Sequence, residues 1–502
     1  MSLLGIDVGT SGCKAAVFAE DGRMLAMAYQ EYDYQHPQPG WAELDARQVW
    51  EQVKQTIRQA AAGAGGDPIK ALSVSSLGEA VVPVNAARQI LAPSLLNFDG
   101  RGAEYLAGLR TILDDERLYR INGNTLGNHY SLTKLLWFKE HCPDLYQQTD
   151  KFLHWGGFVA LMLGAQPAVD TSLANRTLLF DLDRGDWSDD LLALAGLERA
   201  KLPPVTASGA GIGSVSPAMA EELGLPARTP IVNGGHDQCC NGVGCGVIAP
   251  GQAMYGMGTY ICMMPVFERR PEPAAMIAQG LNTEHHAAPG QFVSFIYNQG
   301  GSLVKWFRDT YAAAERKSAA AAGIDLYASL MAEMPAAPSR VMALPHFTAT
   351  GPPQFISDSC GVLAGLYLET PRGEILKGIL EATTFYLRQC FESLPPGIAV
   401  SVFRAAGGGS KSDAWLQICA DILGRPFVRC KAPEAGALGA AILAGVGSGV
   451  FASLQEGVAT MVQPEREFYP NPSMQARYDE RFAKYCQLWP LLQAYLRDLN
   501  RA

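Results

Sequence analysis

The sequence predicts an α/β protein with mixed sheets, built from two similar halves. Helical patterns, such as residues 46–62 and 373–393, alternate along the chain with strand-like apolar runs. The turn at Gly9-Thr10 joins two such runs, and a second turn of the same kind, at Gly258-Thr259, joins two more about half a chain length later. Repetition of a unit at half length indicates duplicated domains that face each other.

The N-terminal segment predicts a strand, a turn, a strand, a hairpin turn and a third strand. The three apolar runs are residues 3–8, 13–18 and 23–29, and Asp21-Gly22 supplies the hairpin turn. Apolar periodicity further along the chain separates helices from strands. The helices are expected at 46–62, 131–141 and 373–393, and the strands at 71–75, 230–233 and 400–405.

A chain of 502 residues fits either two large domains or roughly three of ordinary size. The glycine-rich stretch 242–246, which ends at Pro250-Gly251, predicts a junction near residues 240–250. We therefore expect one domain over residues 1–245, called the first half below, and another over 246–502, called the second half. The last helix could pack back on the first half.

Composition excludes several classes of protein. Apolar residues make up 48% and charged residues 18%, which is typical of a folded globular chain. The net charge of −9, with both signs interspersed, argues against a nucleic-acid partner. No long apolar run or leader segment is apparent, so we expect no membrane partner and a cytoplasmic location. The eleven cysteines show no paired metal-binding spacing and predict reduced, mostly buried thiols.

The first turn has the composition of a phosphate-binding loop. Glycines at 9 and 12 let the backbone approach an anion closely, while Thr10 and Ser11 add hydroxyl donors. Asp7 lies beside this turn, where phosphate would repel it unless a divalent cation intervened. Neither the Walker A nor the dinucleotide-binding glycine pattern is present. A tight hairpin capped by Asp7 is the alternative interpretation.

A third glycine cluster, Gly407-Gly408-Gly409, follows the strand-like run 400–405. Three residues without side chains at a strand-to-helix junction would let adenine or ribose lie on the backbone. A plain flexible turn is the alternative. Ser410 and Asp413 have the spacing of a capping box for the helix that follows, which is expected to end at Leu423.

Asp237 is the candidate catalytic base. It follows the strand-like run 230–233, and an aspartate commonly accepts the proton of the attacking hydroxyl in phosphoryl transfer. His236 is interpreted as a structural neighbour. The adjacent pairs Cys239-Cys240 and His285-His286 are also interpreted as structural, because neighbouring side chains usually diverge.

Several short segments, taken in order, resemble the FGGY family of carbohydrate kinases over nearly the whole chain, with features of both xylulose and glycerol kinases. They are residues 5–11, 39–45, 99–101, 172–181 with Trp187, 235–238, Gly258-Thr259, 344–347 and 407–417.

This resemblance implies two ribonuclease-H-like domains of the actin and hexokinase type, with a deep cleft between them that holds ATP and a sugar. It implies Mg²⁺ on the phosphates near Asp7 and Asp237, with Asp237 also acting as base. The first half would form the sugar and phosphate side, and the second half the adenosine side. The residues that match the phosphate and adenosine motifs are Thr10, Ser11, Lys14, Gly258, Thr259, Gly407, Gly408, Gly409 and Ser412.

On the substrate side, the resemblance implies a sugar contact at Glu79, in a turn where a buried carboxylate would need a hydroxylated partner. Gly78 departs from both xylulose and glycerol kinases, and His129 replaces a tyrosine usual in glycerol kinases. The expected substrate-binding residues are Trp41, Glu79, Asp99, Arg101, His129 and Asp237.

The sequence therefore predicts an ATP-dependent kinase for a small sugar or polyol, most simply a pentulose such as xylulose. Other acceptors, such as glycerol, erythritol or gluconate, remain alternatives, as do a chaperone-like ATPase and a non-catalytic sugar-binding regulator. The expected partner is this small molecule, and a homodimer is left open.

Overall fold

The computed structural model describes residues 1–431 and 434–500. In the first half the strands are β1 (Ser2–Val8), β2 (Gly12–Ala19), β3 (Met24–Glu31), β4 (Glu43–Leu44), β5 (Ile69–Ser76), β6 (Val81–Val84), β7 (Ser94–Leu95), β8 (Lys151–His154), β9 (Phe180–Asp181), β10 (Asp186–Trp187), β11 (Gly211–Ser214) and β12 (Pro230–His236). The helices are α1 (Ala46–Gly63), α2 (Tyr105–Ile112), α3 (Asp115–Asn122), α4 (Ser131–His141), α5 (Pro143–Gln148), α6 (Trp155–Leu163), α7 (Thr171–Asn175), α8 (Asp189–Ala195), α9 (Pro217–Leu223) and α10 (Asp237–Gly244).

In the second half the strands are β13 (Gly251–Met257), β14 (Tyr260–Phe267), β15 (Glu284–His285), β16 (Phe292–Val293), β17 (Ile296–Gln299), β18 (Met342–Leu344), β19 (Val362–Ala364), β20 (Val400–Ala406), β21 (Phe427–Cys430) and β22 (Pro464–Phe468). The helices are α11 (Pro273–Ala278), α12 (Gly301–Tyr311), α13 (Ala313–Ala322), α14 (Leu326–Ala332), α15 (Arg372–Glu392), α16 (Asp413–Leu423), α17 (Ala435–Gly447), α18 (Leu454–Met461) and α19 (Pro472–Leu499).

The two large sheets repeat one topology. The first has the order β11-β12-β5-β1-β2-β3, in which β1 runs parallel to β5 and antiparallel to β2. The second has the order β22-β21-β20-β13-β14, with β16 and β17 both paired to β14. There β13 runs parallel to β20 and antiparallel to β14, as β1 does with its neighbours. The predicted duplication is therefore confirmed, as is the mixed α/β class.

The helices and strands singled out from the sequence form within one or two residues of their expected bounds, except that β12 continues three residues further, to His236. Asp45 is the N-cap of α1, since its side chain accepts hydrogen bonds from the N–H groups of Arg47 and Gln48. The apolar stripe of α1, which includes Val49, Val53 and Ile57, is buried, as the periodicity predicts.

The glycine-rich stretch around 242–246, where a domain junction is expected, takes part in a tight contact between the two halves. Residues up to 244 belong to α10, which packs closely on α17. A Cβ atom at Gly244 would lie 1.9 Å from the carbonyl oxygen of Ala435, and one at Gly439 would lie 1.9 Å from that of Cys240. The small residues are therefore needed for contact between helices of the two halves, rather than for a flexible turn.

Helix α17 also packs on β1, β5 and β12, so a helix of the second half covers part of the first sheet. The last helix, α19, packs mainly within the second half. Its main contacts are α15, α16 and β18, because Tyr478, Phe482 and Tyr485 bury their rings against Phe385 in the core of the second half. No helix in the described part of the chain is both long and apolar enough to cross a membrane.

Candidate active site

Asp7 and Asp237 lie at the same edge of the first sheet. Strands β1, β5 and β12 are adjacent and parallel, so their carboxyl ends meet there. Asp7 is near the end of β1, and Asp237 begins α10 directly after β12. Asp7 Oδ1 accepts a hydrogen bond of 2.7 Å from Ser75 Oγ near the end of β5. The fold thus brings two predicted site carboxylates together.

Asp237 has the electrostatics of a proton acceptor that works near neutral pH. Burial and the nearby negative charge of Asp7 raise its pKa to about 7. His236 Nε2 lies 3.2 Å from Asp237 Oδ1, but burial holds the pKa of His236 well below its usual range. The imidazole is therefore neutral, and it lies beside the carboxylate without cancelling its charge.

Lys14, expected on the phosphate side, connects the two halves. It pairs with Asp7 in the β1–β2 register, and its Nζ lies 2.7 Å from Glu434 Oε2, in the residue that precedes α17. Burial opposes the charge on Lys14, but the partner carboxylate outweighs it and raises the lysine pKa. A cation is therefore fixed beside Asp7.

An ion triad with little exposure to solvent surrounds Glu79. The guanidinium of Arg176, just after α7, forms ion pairs with Glu79 of the first half and Glu284 of the second. The Arg176–Glu284 contact, Nη1 to Oε1, is 2.5 Å. Tyr130 and Phe295 enclose the same guanidinium, with ring centroids 5.2 and 5.6 Å from its carbon. Glu79, the predicted sugar contact, is thus held by a residue that the sequence did not single out.

His129 stacks on Tyr130 with a centroid separation of 3.9 Å. His129 is exposed at the surface, and partial desolvation of its ring together with the charge of Lys134 lowers its pKa, so the ring is neutral at physiological pH. Ser131 Oγ, two residues on, donates to the carbonyl oxygen of Glu79 at 2.6 Å. His129 therefore belongs to the segment that borders the ion triad.

Asp99 and Arg101 form a second buried cluster with Trp41. The Asp99 carboxylate accepts hydrogen bonds from the Arg101 side chain and from the N–H groups of Ala42 and Arg101. Arg101 also pairs with Glu43 Oε2 at 2.7 Å, and its guanidinium carbon lies 4.0 Å from the Trp41 ring centroid. These contacts occupy both charged groups, and they fix the Trp41 ring in place.

The two predicted phosphate turns close in different ways. In the first, the N–H of Gly9 donates to the carbonyl of Gly12 at 2.9 Å, and Thr10 and Ser11 lie between them at the surface. In the second, the carbonyl of Thr259 accepts from the N–H of Gly300 at the start of α12. The carbonyl of Gly258 likewise accepts from Gly301, as Thr259 does from Ser302. The second turn is therefore fixed to a helix N-terminus.

The third glycine cluster lies after β20 and partly forms a short 3-10 turn, Gly408–Lys411. Gly407 has φ of 90°, and a Cβ there would lie 2.8 Å from the carbonyl of Met257, whereas Gly408 faces open space. The capping box expected at Ser410 is wrong, because this 3-10 turn intervenes. Ser412 is the residue that caps α16, accepting from the N–H of Trp415 at 3.2 Å, and the helix ends at Leu423 as predicted.

The pairs interpreted as structural make backbone contacts. His285 Nε2 lies 3.1 Å from the carbonyl of Leu182, and His286 Nε2 lies 2.8 Å from that of Val247. Every cysteine is a free thiol in the described structure. Sequence reasoning missed Arg176, Glu284, Ser75 and Glu434. Arg176 lies within the segment 172–181 quoted above, but nothing in the sequence relates it to Glu79.

Comparison with known proteins gives a consistent result. The model of the FGGY family of carbohydrate kinases, N-terminal domain, matches residues 2–244, and its C-terminal counterpart matches 253–448. The autoinducer-2 kinase of Klebsiella pneumoniae is 32% identical over 514 aligned residues, covering 96% of this chain and 92% of that protein. The glycerol kinase of Methylibium petroleiphilum is 31% identical over 504, covering 96% and 97%. The solved xylulose kinase from Rhodospirillum rubrum matches with a TM-score of 0.86 and 26% identity, covering 99% of this chain and 100% of that one.

The chain contains two sheets of the same topology, and a pair of carboxylates lies at the edge of the first sheet. This is the arrangement of a kinase with the two-domain ATPase fold. The chain belongs to the FGGY family of carbohydrate kinases, which confirms the resemblance seen in the sequence. It is accordingly an enzyme that phosphorylates a small sugar or polyol, and membership of this family implies ATP as the donor.

Proposed function

We propose that this enzyme transfers the γ-phosphoryl group of ATP to a terminal hydroxyl of a pentulose such as xylulose. The observation that carries the chemistry is the raised pKa of Asp237, about 7, at the sheet edge beside Asp7. A base with this pKa is about half ionised at neutral pH and accepts a proton readily. The pentulose is supported by the similarity to a solved xylulose kinase over the full chain.

In the proposed reaction, Asp237 accepts the proton of the substrate hydroxyl as the hydroxyl oxygen attacks the γ-phosphorus. The bond from the γ-phosphorus to the bridging oxygen breaks, and ADP leaves with that oxygen. Such transfers need positioning and charge neutralisation more than covalent help from the protein. His236 lies beside the Asp237 carboxylate as a neutral group, and Lys14 supplies fixed positive charge near Asp7.

Asp7 and Asp237 would hold Mg²⁺, in part through water, and the ion would neutralise the phosphates. The donor set fits: both groups are carboxylates, which Mg²⁺ prefers, and among the described residues no cluster of three or more ligands forms a cage. Mg²⁺ usually binds through one or two carboxylates together with substrate phosphates. Asp7 is also fixed by Ser75, as an outer-shell partner would fix a ligand.

For nucleotide binding, we propose that the phosphates lie against the two Gly-Thr turns and the adenosine against the third glycine cluster. Thr10 and Ser11 offer hydroxyl donors in the first turn, and Gly258 with Thr259 would contact the phosphates from the second half. Gly408, whose missing side chain would face open space, would present bare backbone to the adenosine, and Gly407 and Gly409 would flank it. Ser412 would act mainly by fixing this segment, since its hydroxyl already caps α16.

For the sugar, we propose direct contacts from Glu79, which accepts hydrogen bonds from hydroxyl groups, and from the neutral ring of His129. Trp41 forms an apolar wall. Asp99 and Arg101 would act indirectly, by holding the Trp41 ring in place, because their charged groups are already paired with each other and with Glu43.

The test is an ADP-release assay with Mg-ATP and a panel of pentuloses, pentitols, glycerol, erythritol, gluconate and autoinducer-2. We expect one pentulose to give the highest kcat/KM. The second candidate is autoinducer-2, favoured by 32% identity to an autoinducer-2 kinase over 96% of the chain. Preference for any non-pentulose would replace the proposed substrate. ADP release that is equal with every compound and with none would favour a chaperone-like ATPase.

A further inference from the structure

The buried Arg176 guanidinium has two carboxylate partners, one from each half of the chain. Glu79 belongs to the turn after β5 in the first half, and Glu284 to β15 in the second. Glu284 is 1% exposed, and Asn282 Nδ2 donates to its Oε1 at 2.6 Å. Buried charges of this kind depend strongly on having partners. The carboxylate of the second half is therefore an anchor for Arg176.

Glu79 is only partly engaged by this triad. Its Oε1 atom pairs with Arg176, whereas Oε2 makes no hydrogen bond within the described residues and is not sealed from solvent. A carboxylate held by one oxygen presents the other in a fixed direction. Space beside it is limited on one side, because a Cβ atom at Gly78 would lie 3.4 Å from Arg176 Nε and 3.0 Å from His236 Nε2.

We propose that Arg176 and Glu284 are positioning residues for sugar recognition: Glu284 draws one arm of the guanidinium away, so that Arg176 holds a single oxygen of Glu79 and leaves the other for a substrate hydroxyl. This inference rests on the proposed role of Glu79 as the sugar contact. It means that a residue of the half assigned to adenosine sets the geometry of the sugar site in the other half.

The physical reason is competition for the guanidinium. Arginine pairs most strongly with a carboxylate when two parallel N–H groups bind its two oxygens. Arg176 Nε has no partner among the described residues, so a second donor is available besides Nη2. Glu284 holds Nη1 and thereby fixes the orientation of the guanidinium. Without the charge of Glu284, the guanidinium can turn Nε and Nη2 together to Glu79, which occupies the oxygen that the sugar needs. Sugar binding weakens, while the nucleotide contacts do not change.

The test is a double-mutant cycle on Glu79→Gln and Glu284→Gln, with Arg176→Lys as a further variant. For the preferred panel sugar, we expect Glu284→Gln and Arg176→Lys each to raise KM about tenfold, with the KM for ATP within about twofold of the wild type. The double variant should be no worse than Glu79→Gln alone, since Glu284 acts only through Glu79. Calorimetric titration of the sugar gives the same comparison without turnover.

The matched control is Asp183→Asn. Asp183 also pairs with an arginine across the two halves, Arg270, at 2.7 Å, but it is exposed. We expect its sugar KM to equal that of the wild type. Multiplicative effects in the double variant, or equal loss in the control, would overturn the positioning role. A wild-type enzyme that neither binds nor phosphorylates any panel compound would instead overturn the proposed function itself.

Discussion

His236 Nε2 lies 3.2 Å from Asp237 Oδ1, and the histidine is the last residue of β12 while the aspartate is the first of α10. The strand-to-helix junction thus places a neutral imidazole and a carboxylate with a raised pKa side by side. Because burial disfavours charge on both groups, they do not form an ion pair, and Asp237 keeps the raised pKa that the proposed base requires.

Replacing Asp237 by Ala should lower kcat by roughly two to four orders of magnitude, the usual contribution of a general base. Affinity for ADP measured without Mg²⁺ should stay near that of the wild type, because the proposed nucleotide contacts lie in the glycine turns and Asp237 would reach the phosphates only through the metal ion. Stopped-assay kcat and calorimetric titration of ADP measure the two effects. A variant with nearly normal kcat would remove Asp237 from the base role.

The pH dependence of kcat/KM should follow the ionisation of Asp237. The base must be deprotonated, and its pKa is raised to about 7, so activity should rise as pH increases through this value and level off above it. An initial-rate profile from pH 5.5 to about 9, with saturating Mg-ATP, measures the ascending limb. A profile that is flat between pH 6 and about 8 would contradict the assignment.

Gly439→Ala should destabilise the protein by about 1–3 kcal/mol, because the added methyl group would meet the backbone carbonyl of Cys240 in α10. Gly108→Ala is the matched control: this glycine lies inside α2 and faces open space, so alanine should stabilise by about 0.5–1 kcal/mol. Urea unfolding of both variants measures these changes. Equal behaviour of the two would show that the α10–α17 contact is not tight.

Glu381 should make stability decrease as pH rises. Burial raises its pKa from 4.5 to about 7, although the N–H of Ser339 and the hydroxyl of Tyr478 donate to it. The folded state therefore binds a proton between these values that the unfolded state has lost. This contribution to stability is complete below pH 4.5, and it is lost as pH rises towards 7.

Glu381→Gln should remove this dependence. Relative to the wild type, the variant should gain up to about 3 kcal/mol in free energy of unfolding between pH 5 and about 8. Urea unfolding at the two pH values gives the comparison. If the difference between the proteins were the same at both, Glu381 would not carry the proton in question.

Features set by local sequence were predictable from it. The strand, turn and helix bounds of β1, β2 and α4 follow from apolar period and turn residues. The Ser410 error was also local, since two serines near the start of α16 compete to cap it and spacing alone does not choose between them. The candidate base was found because Asp237 directly follows a strand.

Features that join distant segments could not be predicted. Lys14 and Glu434 are 420 positions apart, and Arg176 and Glu284 are 108 apart. No period or motif relates them, because the topology of two sheets and the packing of α17 decide which side chains meet. The stretch that includes Gly244 indicated a junction, but nothing in the sequence showed that Gly244 and Gly439 meet helices of opposite halves.

The position of α17 has a consequence for how the chain can be divided. Cut near residue 245, the N-terminal fragment would lack the helix that covers β1 and β5, and it would expose Leu3, Ala71 and Cys240 to water. The C-terminal fragment would present the bare apolar side of α17. Neither piece would be an autonomous folding unit, so the two halves should have to be expressed as one chain despite the internal duplication.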